Sequence, residues 1–79
     1  METSYNFEDK ELLQKVGKRI RHFRIIVGLS QEKLSFESDL DRTYIGSVER
    51  GERNIALINL NKLAKALNVS ISKLLEIET

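Results

Sequence analysis

A short stretch in the middle of the chain combines side chains suited to reading the edges of nucleic-acid bases. Arg42 and Thr43 directly follow Asp41, a good helix N-cap, so they open a helix predicted to run to Arg50. An arginine can bind guanine O6 and N7 with two hydrogen bonds, and a threonine offers a methyl group to thymine and a hydroxyl to a base or phosphate. On a helical wheel one face of this helix is short and polar and lies away from Ile45 and Val48; it consists of Arg42, Thr43, Gly46, Ser47 and Arg50.

Gly46 lies in the middle of that polar face. A glycine inside a helix costs about 1 kcal/mol relative to alanine, and the wheel gives Gly46 no core position. We interpret it as a residue that lets the helix backbone come close to a flat partner, such as the floor of a DNA groove. Drift at an exposed position is the alternative interpretation.

Other chemistry has few candidate residues. The 79 residues contain no cysteine and a single histidine, His22, which argues against thiolate or histidine metal sites and leaves little for acid–base catalysis. We therefore expect no enzyme, no metal and no cofactor. No apolar stretch approaches the ~20 residues that a membrane span needs, and the N-terminus lacks the apolar core of a signal peptide. We expect a cytoplasmic protein that does not act at a membrane.

The elements that must position the polar face are predicted to be five short helices in an all-α fold. Apolar periodicity and capping residues place these helices at about 9–27, 31–37, 42–50, 57–67 and 71–77. Their predicted starts and ends are marked by Ser30, Asp41 and Ser70 as N-caps and by Gly28, Gly51 and Asn68 as C-terminal residues. Residues 1–8 are expected to be a flexible segment, and residues 9–79 one domain.

The second and third helices form a characteristic pair. A capped short helix, a turn at Ser38-Asp39 and a second capped short helix make the helix-turn-helix arrangement, here over about residues 31–50, whose second helix enters the major groove of DNA. Gln31, in the first turn of the first helix of the pair, would lie over the DNA backbone, where free helix N–H groups and a side-chain amide suit phosphate. The sequence therefore predicts double-stranded DNA as the partner.

Three runs of the chain carry a family resemblance: GLSQEKL at 28–34, YIGSVERG at 44–51 and NVSISKLL at 68–75. They resemble the Cro/CI-type (XRE-like) helix-turn-helix family, whose domain is lambda-repressor-like, and the resemblance extends over about residues 16–75. Within that family, DRTYI at 41–45 with ER at 49–50 and RN at 53–54 looks most like the controller proteins of bacterial restriction–modification systems.

The resemblance implies a homodimer on a palindromic operator upstream of its own gene, where it first activates and then represses its operon. Base contacts are implied for Arg42, Thr43, Ser47 and Arg53. Contacts to the DNA backbone are implied for Gln31, Tyr44, Arg50 and Asn54. The family also pairs an arginine late in its first helix with the glutamate of Glu-Arg-Gly, which here implies a structural ion pair between Arg24 and Glu49.

Two surfaces and several alternatives remain open at this point. An apolar patch for the dimer is predicted from Ile55, Ile58, Leu75 and Ile77. Activation requires a contact to RNA polymerase, for which we expect the sigma subunit as partner and the surface acids Glu32 and Glu37 as candidates. The basic stretch 15–24 either flanks the DNA or is a solvated helix face. The alternative functions are a phage-type repressor, an antitoxin autoregulator, or a protein-interaction adaptor with the same fold.

Overall fold

The computed structural model describes residues 4–78. In this part of the chain it contains five helices and no strand, which confirms the all-α prediction. The helices are α1 (Phe7–Ile26), α2 (Gln31–Ser38), α3 (Arg42–Glu49), α4 (Leu57–Leu67) and α5 (Ile71–Leu74). Residues 1–3 of the segment expected to be flexible, and residue 79 of the predicted domain, lie outside the described residues.

Helix α1 begins two residues before the predicted start because Asn6 caps it. The Asn6 side chain accepts a hydrogen bond from the Asp9 N–H at 2.8 Å, and the Asp9 carboxylate accepts one from the Asn6 N–H at 3.2 Å. This reciprocal arrangement satisfies two backbone donors at the helix start. Phe7 and Glu8 therefore belong to α1 and not to the segment that precedes it.

Three other helix starts are capped as predicted, and one is not capped. Ser30, Asp41 and Ser70 each accept a hydrogen bond from a backbone N–H in the first turn of α2, α3 and α5. At the start of α4, Ala56 has the extended backbone of an N-cap but no side chain that can accept such a bond. The ends of α2 and α4 are formed by Asp39 and Asn68, both in the left-handed conformation at φ 60°.

The last helix is shorter than predicted. It ends at Leu74 instead of Ile77, and the Ile77 N–H bonds to the carbonyl of Leu75 at 2.9 Å in a tight turn. Leaving the helix allows Ile77 to turn back and pack against the core, half-buried. Two cations of α1 hold this C-terminal segment, residues 73–78: Lys15 Nζ donates to the Glu78 carbonyl at 2.7 Å and Arg19 Nη2 to the Lys73 carbonyl at 2.6 Å.

The core lies between the five helices: α3 packs against α1 and α2, and α4 packs against α2, α1 and α5. Its buried apolar residues are Val16, Ile20, Leu34, Ile45, Val48, Leu60, Leu63, Ala64, Leu67 and Leu74. Of the apolar residues of α1, only Val16 and Ile20 are buried. Leu12 and the C-cap residue Val27 are each 44% exposed.

A glycine that the sequence analysis did not single out sets the distance between α1 and the end of α3. A Cβ atom on Gly17 would lie 2.6 Å from the Glu49 carbonyl oxygen, and closer still to that of Val48. Such approaches are too short for any side chain, so only glycine allows α1 to pack this tightly against the end of α3. The close approach brings Arg24, further along α1, level with the last turn of α3.

Candidate nucleic-acid interface

The first turn of α3 presents Arg42 and Thr43 to solvent. The Asp41 carboxylate accepts hydrogen bonds from the backbone N–H groups of Thr43 at 3.1 Å and Tyr44 at 3.4 Å, which fixes the start of the helix. The side chains of Arg42 and Thr43 are exposed and make no hydrogen bond or ion pair to any described residue. Both are therefore available to a partner, as the sequence predicted for base-contacting residues.

The rest of α3 is more buried than the helical wheel indicated. Residues 45–49 are all buried, including Gly46 and Ser47, which the wheel placed on the outward face. Gly46 is covered by two neighbours: a Cβ there would lie 3.2 Å from Arg50 Nη1 and 3.5 Å from Gln31 Oε1. Its small size makes room for these two side chains, so the prediction that Gly46 is exposed on the outward face was wrong. The Ser47 hydroxyl donates to the Tyr44 carbonyl at 2.7 Å, and its predicted base contact stays a prediction.

A buried ion pair joins the end of α3 to α1. Arg24 donates to both oxygens of Glu49, from Nε to Oε2 at 2.6 Å and from Nη2 to Oε1 at 2.9 Å, and its third nitrogen donates to the Leu29 carbonyl at 2.9 Å. The Glu49 side chain is only 2% exposed. Hydrogen bonding to Glu49 raises the pKa of Arg24. The pair that the resemblance implied is thus present, and its position inside the domain fits the structural role.

Gln31 belongs to the same network. Its side-chain Nε2 donates to Glu49 Oε1 at 3.0 Å, so that Glu49 accepts three side-chain hydrogen bonds. Gln31 is the first residue of α2 and is half-buried against α3. The network therefore locks the first turn of α2 to the last turn of α3, which sets the relative position of the two helices of the motif.

Tyr44, Arg53 and Asn59 form a second cluster beside α3. Tyr44 is half-buried, and its hydroxyl accepts a hydrogen bond from Asn59 Nδ2 at 3.2 Å. The Arg53 guanidinium lies over the Tyr44 ring, 5.4 Å from its centroid, a favourable cation–π arrangement. Arg53 is exposed and so remains accessible to a nucleic acid, together with the neighbouring Asn54.

Arg50 is the C-cap residue of α3, and it pairs with Glu52, an acid to which the sequence analysis assigns no role. Its Nε and Nη2 donate to the two carboxylate oxygens of Glu52 at 3.0 and 3.1 Å. Hydrogen bonding within this exposed pair raises the pKa of Arg50 and lowers the pKa of Glu52. The signal in the sequence was an acid two residues beyond an arginine at a predicted helix end, a spacing too common to indicate a pair by itself.

Three of the four residues predicted for the dimer line a groove that borders the candidate nucleic-acid interface, since Arg53 and Asn54 line it too. Ile55, Leu75 and Ile77 line one open groove of about 520 Å³, together with Leu12 and Leu13 of α1. Ile58 is exposed but does not line this groove. Leu12 and Leu13 follow the apolar periodicity of α1, which by itself does not distinguish a core position from an exposed groove.

No helix among residues 4–78 is long and apolar enough to cross a membrane. These residues contain no group of three or more histidine, cysteine, aspartate or glutamate residues placed to hold a metal ion.

The fold and this surface define a helix-turn-helix domain: two capped helices are joined by a tight left-handed turn at Asp39, and the second presents an arginine at its start. The sequence profile described as "Helix-turn-helix" matches residues 20–74. The chain therefore belongs to the helix-turn-helix family.

Within this family, the chain is similar to control proteins. The control protein C.SmaI of Serratia marcescens is 56% identical over 66 residues, which are 84% of this chain and 75% of that protein. The control protein C.BamHI of Bacillus amyloliquefaciens is 48% identical over 64 residues, 80% of this chain and 79% of that protein. The crystal structure of the restriction-modification controller protein C.AhdI from Aeromonas hydrophila superposes with a TM-score of 0.77 at 53% identity, over 78% of this chain and 94% of that chain. The resemblance to controller proteins is thereby confirmed.

Proposed function

We propose that this protein is a sequence-specific transcription regulator of the controller type, which binds as a dimer to a palindromic operator upstream of its own gene and activates and represses that operon. The observation that carries the proposal is the start of α3, where the Asp41 cap presents Arg42 and Thr43, unpaired within the described structure, on a helix that is otherwise largely buried. The family membership of the chain and its similarity to control proteins support the same conclusion.

Base contacts are assigned to the exposed start of α3. Arg42 carries a full positive charge and has no internal partner among the described residues, so its guanidinium is available to bind guanine with two hydrogen bonds. Thr43 is next to it and can contact thymine or a phosphate. Arg53, stacked on Tyr44, is the third candidate, because its guanidinium keeps exposed donors for a base or for the minor groove.

Contacts to the DNA backbone are assigned to residues around this centre. Gln31 is held by Glu49 at the N-terminus of α2, where the free N–H groups of the helix favour phosphate. The other residues assigned to the DNA backbone lie on or beside α3 and are Arg50, Asn54 and Tyr44, the last through its hydroxyl. Such contacts fix the register of the protein on the duplex and carry most of the salt dependence of binding.

The dimer is assigned to the groove lined by Ile55, Leu75 and Ile77, with Ile58 at the exposed start of α4. A 79-residue chain has a small core, and a second copy that covers these apolar side chains would add to its buried area. A symmetric dimer also matches a palindromic operator, because each half-site then meets the same surface.

Activation requires a contact to RNA polymerase, which we assign to the exposed acids Glu32 and Glu37 on the outer surface of α2, with the sigma subunit as the partner. A regulator of this kind works in the cytoplasm, where bacterial DNA is transcribed. The gene neighbourhood tests the controller assignment: methyltransferase and endonuclease genes are expected beside it, whereas a toxin gene would indicate an antitoxin.

The decisive experiment compares duplex binding by wild type and Arg42→Ala, measured by fluorescence anisotropy at physiological salt. The DNA upstream of the protein's own gene is expected to bind at least ~10³-fold more tightly than a scrambled duplex. Arg42→Ala is expected to cost about 1–3 kcal/mol on the upstream DNA and to relax base preference at one position of each half-site. Lys62→Ala removes an exposed cation from α4 as the matched control and should leave this preference unchanged. Equal, weak and salt-insensitive binding to both duplexes would instead favour the protein-interaction adaptor.

A further inference from the structure

The Glu52 carboxylate binds the side of the Arg50 guanidinium that carries Nε and Nη2, and Arg50 lies at the proposed DNA surface. Arg50 Nε and Nη2 donate to Glu52 Oε2 and Oε1 at 3.0 and 3.1 Å, in the two-pronged geometry that an arginine makes with a carboxylate. The third guanidinium nitrogen, Nη1, lies over Gly46 in the cleft between α2 and α3. The Arg50 edge that could bind a phosphate with two hydrogen bonds is therefore already in use.

The same edge of Arg50 cannot hold a carboxylate and a phosphate at once. Both anions offer two oxygens at the spacing of the guanidinium nitrogens, so they compete for the same donors. The Arg50 and Glu52 side chains are 59% and 57% exposed, which leaves the pair open to exchange with an incoming anion. The Arg24–Glu49 pair has the same geometry, but its glutamate is sealed inside the domain and cannot exchange.

We propose that Glu52 is an internal competitor of DNA phosphate for Arg50, and that it thereby sets the affinity of the domain for any duplex. This inference rests on the proposed function. In the free protein Glu52 holds Arg50 along the surface of α3; on DNA, a phosphate oxygen pair replaces the carboxylate. An exposed glutamate is ionised at neutral pH, and hydrogen bonding to Arg50 lowers the pKa of Glu52. The competition weakens binding to phosphates but does not affect the base contacts at Arg42 and Thr43.

The test is a double-mutant cycle on duplex binding with Glu52→Gln and Arg50→Ala. Glu52→Gln removes the charge and keeps the shape of the side chain. It is expected to tighten binding to both operator and scrambled duplex by about two- to fivefold, a size that fits an exposed ion pair. The slope of log K against log salt should become at most slightly steeper, because Arg50 neutralises the same phosphate in both proteins and only the wild type also frees a carboxylate that takes up a cation.

The cycle separates competition at Arg50 from a general loss of negative charge. In the Arg50→Ala background, Glu52→Gln should have no effect beyond that of Glu11→Gln, which removes an exposed acid of α1 that has no ion-pair partner in the described structure. Circular dichroism confirms that each variant is folded. An equal gain from Glu52→Gln with and without Arg50 overturns the inference, as does weaker binding by Glu52→Gln, which would mean that Glu52 orients Arg50 for DNA. Failure of the wild type to bind either duplex would overturn the proposed function as well.

Discussion

Helix α1 contacts the rest of the domain by two ion pairs of opposite character, one near its C-terminal end and one nearer its middle. At the C-terminal end, Arg24 and Glu49 are joined at 2.6 Å and both side chains are largely buried, at 11% and 2% exposure. Nearer its middle, Arg19 approaches Glu76 only to 3.8 Å, and the Glu76 carboxylate is exposed. The buried network fixes α2 and α3 in one relative position, as a surface that reads DNA requires. The C-terminal segment is held by two half-buried cations of α1, Lys15 and Arg19, whose side chains donate to backbone carbonyls.

The largest expected effect is the loss of the buried pair. Glu49→Ala leaves the Arg24 guanidinium buried without its anion and removes the acceptor of Gln31. Removing one partner of a buried pair typically costs about 3–5 kcal/mol, most or all of the stability of a small domain. Urea denaturation followed by circular dichroism measures the loss. Glu76→Ala breaks the exposed pair of the other region and should cost about 0–1 kcal/mol. Similar losses of stability for Glu49→Ala and Glu76→Ala would show that the buried pair does not stabilise the domain more than the exposed pair.

A smaller loss of stability is expected from Gly17→Ala. This variant tests the close packing of α1 against the end of α3, which places Arg24 beside Glu49. The added Cβ would meet the backbone carbonyls of Val48 and Glu49, which cannot turn away as a side chain can. Overpacking of this kind costs about 1–3 kcal/mol. The comparison variant is Gly28→Ala, since Gly28 has φ 78° but open space around it, so only backbone strain of about 1–2 kcal/mol is expected there. A Gly17→Ala domain as stable as wild type would mean that α1 can shift away from α3 without cost.

The helices and most of their ends could be predicted from the sequence because they depend on local features. Residue type alone predicts Ser30, Asp41 and Ser70 as caps, and it predicts helix ends near Asp39 and at Asn68, which both take the left-handed conformation. Capping and turn chemistry involve residues only two to four positions apart, so no knowledge of the tertiary structure is needed. The Arg24–Glu49 pair spans 25 positions and was reached only through the family resemblance.

What could not be predicted depends on how the helices pack. Gly46 was placed on an outward face because a helical wheel does not show that Gln31 and Arg50 cover it. The sequence does not indicate the role of Gly17, because the backbone carbonyls that require a glycine there belong to the end of α3, more than thirty positions away. The basic stretch of α1 was read as a DNA flank or a solvated face, whereas Lys15 and Arg19 hold the C-terminal segment. In each case the partner is distant in sequence, and no local pattern indicates it.

Substitutions in the apolar groove should act on assembly and leave the fold intact. Leu75→Asp places a charge on a half-exposed side chain that lines the groove. Because burying a leucine contributes about 1.5–3 kcal/mol, the dimer dissociation constant should rise at least ~10-fold. Sedimentation velocity over a range of concentrations measures it. Phe36→Asp changes an 83% exposed side chain on α2, which does not line the groove, and should leave the constant unchanged. Equal effects from both variants would count against this groove as the interface.

The smallest expected effect is a gain in stability at the start of α4, the one helix among those described that lacks a side-chain cap. Ala56 already has the extended backbone of an N-cap, at φ −69° and ψ 147°, so Ala56→Ser needs no rearrangement for its hydroxyl to accept the Asn59 N–H. A gain of about 1 kcal/mol in the free energy of unfolding is expected, and Ser70→Ala, which removes an existing cap, should lose a similar amount. Both are measured by urea denaturation, and an absence of any gain would mean that the backbone N–H groups at the start of α4 are already satisfied by water.

Ala56 is exposed between Ile55 and Ile58, so sedimentation of Ala56→Ser also tests whether the start of α4 belongs to the dimer interface. An unchanged dimer constant would place the start of α4 outside the interface, and an altered one would extend the interface from the groove toward Ile58.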